Sequence, residues 1–140
     1  MTIQYLLLAN FKLYQKLLMQ RLRETDLSSG QPKILDYLSE HDGANQREIA
    51  AACHLEPASL TSILNGMESK GIIERRRANG DRRSYYVFMT DNGMKLCRQV
   101  ENAFAQLESE MISGMPGITR EELTAILTEL HDCLERMALK

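Results

Sequence analysis

The stretch from Asn45 to Gly93, NQREIAAACHLEPASLTSILNGMESKGIIERRRANGDRRSYYVFMTDNG, decides the fold. Asn45 precedes Glu48 by three residues, a capping-box spacing with asparagine in the cap role. Ile49, Ala50 and Cys53 then give the apolar face of a short helix. His54-Leu55-Glu56 reads as a tight turn, and Pro57 suits the first position of a second helix. In that helix Leu60, Ile63, Leu64 and Met67 recur at i, i+3, i+4 and i+7, so they face a core. Ser59, Thr61, Ser62 and Asn65 face away from it. Gly71 is a candidate for the left-handed residue that ends the helix. Beyond it the apolar period changes. Residues 72–77 and 84–89 read as two strands, and Asn79-Gly80 between them is a strong hairpin signal.

Working outward, residues 3–24 carry Ile3, Leu6, Leu7, Leu13, Tyr14, Leu17, Leu18 and Leu22, mostly at helical spacing and without Pro or Gly. The run Leu27–Pro32 breaks this helix and offers a serine cap for a second one, whose buried face is Ile34, Leu35 and Leu38. After the hairpin, Thr90 or Asp91 caps a helix that runs to about Ser113. Gly114–Gly117, with Pro116, interrupts the chain. Thr119 and Glu122 have capping-box spacing, and Leu123, Ile126, Leu127, Leu130, Leu134 and Met137 form one stripe of a last helix. The expected order is α-α-α-α-β-β-α-α. The fold class is mainly α with a small β-hairpin wing, a winged helix-turn-helix.

Composition narrows the function. The 140 residues, 44% hydrophobic and 26% charged, suit a soluble globular chain. The formal net charge is −2, but its distribution is uneven. Residues 70–83 hold Lys70, Arg75, Arg76, Arg77, Arg82 and Arg83 against Glu74 and Asp81, so a basic element sits on an acidic body. Such a pattern steers a polyanion to one edge. Cys53, Cys97 and Cys133 form no CxxC pair, which fits a reducing cytoplasm rather than a disulfide framework. The apolar run Tyr5–Ala9 lacks the basic start and cleavage site of a leader and is far shorter than the ~20 residues that span a bilayer. No membrane association is expected. No GxGxxG, GxSxG, HExxH or Walker motif occurs, so an enzyme is not expected. Glu121 and Glu122 open a helix, where they complement its dipole without any catalytic role. His41, His54 and His131 are far apart and lack partners at metal-ligand spacing, so neither a metal nor a cofactor is expected.

Two short helices on a three-residue turn, followed by a basic hairpin, have a direct physical use. The major groove of B-DNA is about 12 Å wide and admits one helix. Ser59, Thr61, Ser62 and Asn65 are groups that bond base edges or phosphates. Arginines on the hairpin suit a narrow minor groove, where the potential is most negative.

These residues resemble the MarR family of bacterial regulators. Gly71-Ile72-Ile73-Glu74-Arg75, Asp81-Arg82-Arg83 and Met89-Thr90-Asp91-Asn92-Gly93 match its G-[hydrophobic]₂-x-R, D-x-R and L-T-x-x-G signals, with Met89 in place of leucine. The resemblance implies a ligand-responsive repressor acting as a homodimer on a pseudo-palindromic operator in double-stranded DNA. It places Arg83 in the minor groove, gives Asp81 the role of orienting wing side chains, and sets Asn45 and Gln46 near phosphates. Arg75, Arg77 and Arg82 complete the expected DNA-binding set with Ser59, Thr61, Ser62 and Asn65. Residues 28–92 would be the DNA-binding part of a single chain, 1–140. Residues 1–27 and 93–140 would be dimerisation helices, meeting through Ile3, Leu6, Leu7, Leu123, Ile126, Leu127, Leu130, Leu134 and Met137.

The resemblance also implies a pocket for a small anionic or aromatic effector, with Tyr14, Tyr37, His41, Met67 and Cys97 as candidate lining. Cys97 and Cys133 are candidate oxidant sensors if their thiols are accessible and acidic enough. Many family members carry arginine or lysine where this chain has Ser62 and Gly66. Base readout by arginine is therefore not offered by this helix. A mid-helix glycine costs roughly 1 kcal/mol relative to alanine, so Gly66 either permits close approach to DNA or is simply tolerated. The alternative function is a winged-helix protein-interaction module without DNA binding, since a fold alone does not fix function.

Overall fold

A computed structural model describes residues 1–77 and 85–139. Its elements are α1 (Ile3–Arg21), α2 (Gln31–His41), α3 (Gln46–Ala52), α4 (Pro57–Ser69), β1 (Ile73–Arg77), β2 (Tyr85–Met89), α5 (Asp91–Ser113) and α6 (Arg120–Ala138). This is the expected element order of a winged helix-turn-helix. Residues 78–84, with the hairpin turn expected at Asn79-Gly80 and with Asp81, Arg82 and Arg83, lie outside the described residues. Contacts divide the chain into two compact units, Met1–Phe104 and Ala105–Lys140. Residues 28–92 and 1–27 both fall in the first.

The first unit is built on the apolar stripes. Leu35 and Leu38 of α2, Ile49 of α3, Leu64 and Met67 of α4, Val87 of β2 and Val100 of α5 are all fully buried. Each such side chain contributes about 1.5–3 kcal/mol against chain entropy. Ile63, expected on the same stripe, sits at its edge and is only half-buried.

Local chemistry sets the helix ends. Thr2 starts α1 by accepting a hydrogen bond from the Tyr5 amide (3.1 Å). The helix stops at Arg21 rather than at residue 24, because the Thr25 hydroxyl and amide both turn back to the Leu22 carbonyl. No serine caps α2. Gly30, at φ 94°, holds the cap position. Here the capping runs in reverse: the buried Gln31 accepts from the Ser28 amide at 2.9 Å. Asn45 and Glu48 form the expected reciprocal capping box on α3. The turn into α4 places His54 at φ 54°, left-handed backbone that histidine adopts more readily than most residues. The end of α4 is a Schellman motif. Gly71 N–H reaches the Glu68 carbonyl and Ile72 N–H the Met67 carbonyl, both at 3.0 Å, with Gly71 at φ 73°.

Gly66 lies on the side of α4 that packs against α2. A methyl group there would meet Gln31 Nε2 at 3.4 Å, ordinary van der Waals contact with a side chain. Its placement explains close helix packing and assigns no approach to DNA. Gly66→Ala is therefore expected to stabilise the fold by about 0.5–1 kcal/mol through helix propensity, seen as a higher midpoint in urea. A lower midpoint would mean that Gln31 cannot give way.

β1 and β2 pair antiparallel, with Ile73 opposite Met89 and Arg77 opposite Tyr85. The link between α2 and α3 adds a third rung that the sequence reading did not anticipate. Gly43 N–H donates to the Val87 carbonyl (2.8 Å) and Val87 N–H to the Ala44 carbonyl (2.9 Å). Asp42 accepts from the Met89 amide at 2.8 Å, and Asn45 bridges to Tyr86. The base of the wing is thus tied to the start of α3.

In the second unit, Thr119 caps α6 by accepting from the Glu122 amide (3.1 Å), and Arg120 pairs with Glu108 at 3.1 Å. No residue of α6 is buried. Ile126, Leu127, Leu134 and Met137 are exposed by 46–64%. In the first unit α1 similarly exposes Ile3, Leu7, Leu8, Phe11, Leu13 and Leu17, while Leu6 is half-buried. Among the described residues, no helix is long and apolar enough to cross a membrane.

Candidate nucleic-acid interface

Ser59, Thr61, Ser62 and Asn65 are all exposed on α4, opposite the buried Leu60, Leu64 and Met67. The arrangement follows from helical periodicity alone. The Thr61 hydroxyl donates to the Pro57 carbonyl (3.0 Å), so towards any ligand it presents its oxygen as an acceptor. On α3, Asn45 is occupied by its cap, and its amide nitrogen donates to Glu48 at 3.2 Å. Gln46 is half-buried, and its side-chain oxygen has no partner among the described residues. A groove between α3 and α4 is lined by Gln46, Arg47, Ala50, Leu55, Pro57 and Thr61. Arg47 is exposed there and was not singled out from sequence. Its signal was a lone cation in the first turn of the first short helix.

The basic residues divide into two groups. Lys70 is turned inward, donating to the Asp26 carbonyl, to Ser28 Oγ (3.0 Å) and to Gln31 Oε1 (3.3 Å). Arg75 is also taken up within the fold. Its side chain is only 14% exposed and reaches Glu68 Oε1 at 3.0 Å, while its guanidinium donates to Asn65 Oδ1 at 2.7 Å. This hydrogen bonding holds the Glu68 carboxyl below its ordinary range. Arg76 lies over the Phe88 ring, 4.2 Å from its centre, and pairs with Glu74. Arg77 lies over the Tyr85 ring and donates to its hydroxyl. Both Arg76 and Arg77 are exposed, so the stem of the wing presents two cations braced on aromatic rings.

The candidate pocket residues are not gathered in one cavity. Tyr14 lines a cavity of about 150 Å3 with Phe11, Leu18, Met19, Lys33 and Phe104. Tyr37 and His41 instead stack on each other along α2, with ring centres 4.3 Å apart. Met67 is fully buried in the core. Cys97 is buried beside the Leu35 carbonyl (3.4 Å), and burial together with the Glu101 carboxylate pushes its thiol up to about 11. Such a thiol stays protonated and unreactive at neutral pH. Burial and the neighbouring Glu101 and Glu40 carboxylates hold Asp36 above its ordinary value. Cys133 is exposed on α6. His131, Asp132 and Glu135 of that helix could bring ligand atoms within 4.8 Å of one another, but exposed acidic groups of this kind commonly stand without a metal.

Residues 27–85 match the model of the MarR family. The match covers less than half of the chain. It spans α2 to the start of β2 and contains all four exposed polar residues of α4. Over 70% of its length the chain is 26% identical to a putative transcriptional regulatory protein for the hcr operon of Thauera aromatica. Over 78% it is 29% identical to the HTH-type transcriptional regulator TtmR of Methylorubrum extorquens. These alignments cover 59% and 53% of the two relatives, so the chain spans little more than half their length. The fold of the whole chain is similar to that of MepR of S. aureus, solved in complex with DNA, with a TM-score of 0.83 at 24% identity and 98% coverage of both chains.

Proposed function

We propose that this chain is a sequence-specific DNA-binding transcriptional regulator, a cytoplasmic homodimer that represses from a pseudo-palindromic operator and is released by a small effector. The observation that carries the reading is the pairing, in one MarR-type segment, of an exposed Ser/Thr/Asn face on α4 with a stem that projects Arg76 and Arg77. The helix face would enter the major groove and the arginines would follow the backbone into the adjacent minor groove. Asn45, Gln46 and Arg47, at the start of α3, would meet phosphates. Asp81, Arg82 and Arg83 keep their proposed wing roles from the resemblance. The regulator relatives and the DNA complex of the similarly folded MepR support this direction.

The exposed apolar faces of α1 and α6 support a second copy as partner, because monomers rarely leave such stripes in water. A two-fold dimer would read half-sites about one helical turn apart. The cavity beside Tyr14 has aromatic and aliphatic walls and one lysine, Lys33. That lining suits an aromatic carboxylate, whose ring is buried while its charge meets the ammonium.

The experiment is selection from random duplexes at about 0.15 M salt, followed by sequencing of the bound fraction. An enriched inverted repeat supports the reading. A folded dimer that binds no duplex overturns it in favour of the protein-interaction module. With an operator in hand, Arg77→Ala is expected to weaken binding and to flatten the salt dependence by about one unit. An unchanged slope would remove the wing stem from the contact surface.

A further inference from the structure

Arg75 has the sequence position of a wing arginine and the geometry of an internal clamp. Three of its contacts go to Glu68: the backbone amide to Oε2 at 3.2 Å, Nε to Oε2 at 3.4 Å and a terminal nitrogen to Oε1 at 3.0 Å. A further hydrogen bond is the 2.7 Å one to Asn65 Oδ1, and the guanidinium also lies over the Tyr85 ring, 5.6 Å from its centre. Asn65 is exposed on the same face of α4 as Ser62. With its oxygen held by the guanidinium at the base of the wing, its amide nitrogen is the end left to face outward.

We infer that Arg75 is a positioning residue that sets base specificity: it turns the Asn65 amide oxygen towards the stem of the wing, so that α4 leads with the amide donor at this point. The inference rests on the DNA-binding reading above. Asparagine reads adenine by presenting both ends of its amide, accepting from N6 and donating to N7. That mode needs the oxygen aimed into the groove. A donor alone is satisfied by guanine O6 and N7, by thymine O4 or by adenine N7. With adenine it forms one bond where a free amide would form two, and it opposes the N4 amino group of cytosine. Asn65 therefore loses the paired contact that singles out adenine and disfavours cytosine. The carboxylate of Glu68 holds the guanidinium in place without touching DNA itself.

The test uses the full chain and the random-duplex selection, read base by base. The operator position that loses its preference in Asn65→Ala identifies the base facing Asn65. There the wild type is expected to select against cytosine by about fivefold, the effect of one hydrogen bond, with no preference for adenine over guanine or thymine. Arg75→Lys keeps the charge but offers a single ammonium, which serves the Glu68 carboxylate and releases Asn65. Adenine is then expected to rise at that position alone, while the rest of the operator is unchanged. In the Asn65→Ala background Arg75→Lys should not alter the preference further. A purely structural Arg75 would instead weaken all sequences alike and leave the base preference intact, which overturns the inference. A wild type that already prefers adenine at that position also overturns it, and this measurement needs no Arg75 variant. A wild type that selects no sequence fails at the earlier step, the DNA-binding reading, and takes the inference with it.

Discussion

Gly93→Ala is expected to cost about 3 kcal/mol or more, the upper end of overpacking effects, and to lower Tm by roughly 10 °C. A Cβ at this buried position would stand 2.1 Å from the Ile72 carbonyl oxygen and 3.3 Å from Met89 Cβ. The obstacle is backbone, so it cannot step aside as a flexible side chain would. Nor can the backbone move freely. The Ile72 oxygen already accepts from the Thr90 amide at 3.1 Å, and the Thr90 hydroxyl lies against the Gly71 and Ile72 carbonyls. The same hydroxyl oxygen receives the Gly93 amide at 3.0 Å. One residue thus staples the end of α4 to the start of α5. Thermal unfolding by circular dichroism checks the prediction, with Gly71→Ala as comparison. Gly71 has open space where its Cβ would go, so that variant bears only the left-handed penalty of about 1–2 kcal/mol. Equal losses for the two variants would show that the Ile72 contact is not limiting.

The second large effect concerns assembly. Ile126→Asp combined with Leu127→Asp places two carboxylates on the exposed stripe of α6, where the native residues are 56% and 52% exposed. Neither side chain supports the fold of the isolated chain, so helix content and the core of Met1–Phe104 should survive. A dimer closed by that stripe should not. Sedimentation is expected to give a monomer at micromolar concentration, and operator affinity should fall by about a thousandfold as the second half-site is lost. A variant that still sediments as a dimer would place the interface elsewhere.

Much of this architecture was readable because each helix carries its own punctuation. Asn45 with Glu48, Pro57, Gly71 and Thr119 mark the boundaries that the backbone adopts, and the stripe Leu60, Leu64, Met67 assigns the exposed face of α4 by subtraction. What escaped reading depended on partners distant in sequence. Residue types alone do not reveal that Arg75 turns inward to Glu68 and Asn65 while Arg76 and Arg77 turn out. Strand alternation separates Arg75 from Arg76, but only the carboxylate seven residues back explains why Arg75 turns inward. The cap of α2 escaped for a similar reason. A serine near a helix start is a strong local signal, yet Gln31 is satisfied by Ser28 and by Lys70, which lies 39 residues away. The candidate pocket residues were the least legible. Tyr14 lines a cavity, Tyr37 and His41 stack on each other, and Met67 and Cys97 lie in the core.

The hydrogen-bonded link from Asp42 to Asn45 has an evolutionary consequence. Surface connections usually tolerate insertions and deletions. This one is metered, because Asp42, Gly43 and Ala44 pair with Met89 and Val87 while the next residue caps α3. Adding or removing one amino acid would place the wrong residue at the cap or slip the wing by one register, turning its side chains to the opposite face. Relatives that keep this geometry should hold the number of these residues fixed, and glycine at position 43 with it, since φ there is 85° and a Cβ would stand 2.9 Å from the Phe88 ring.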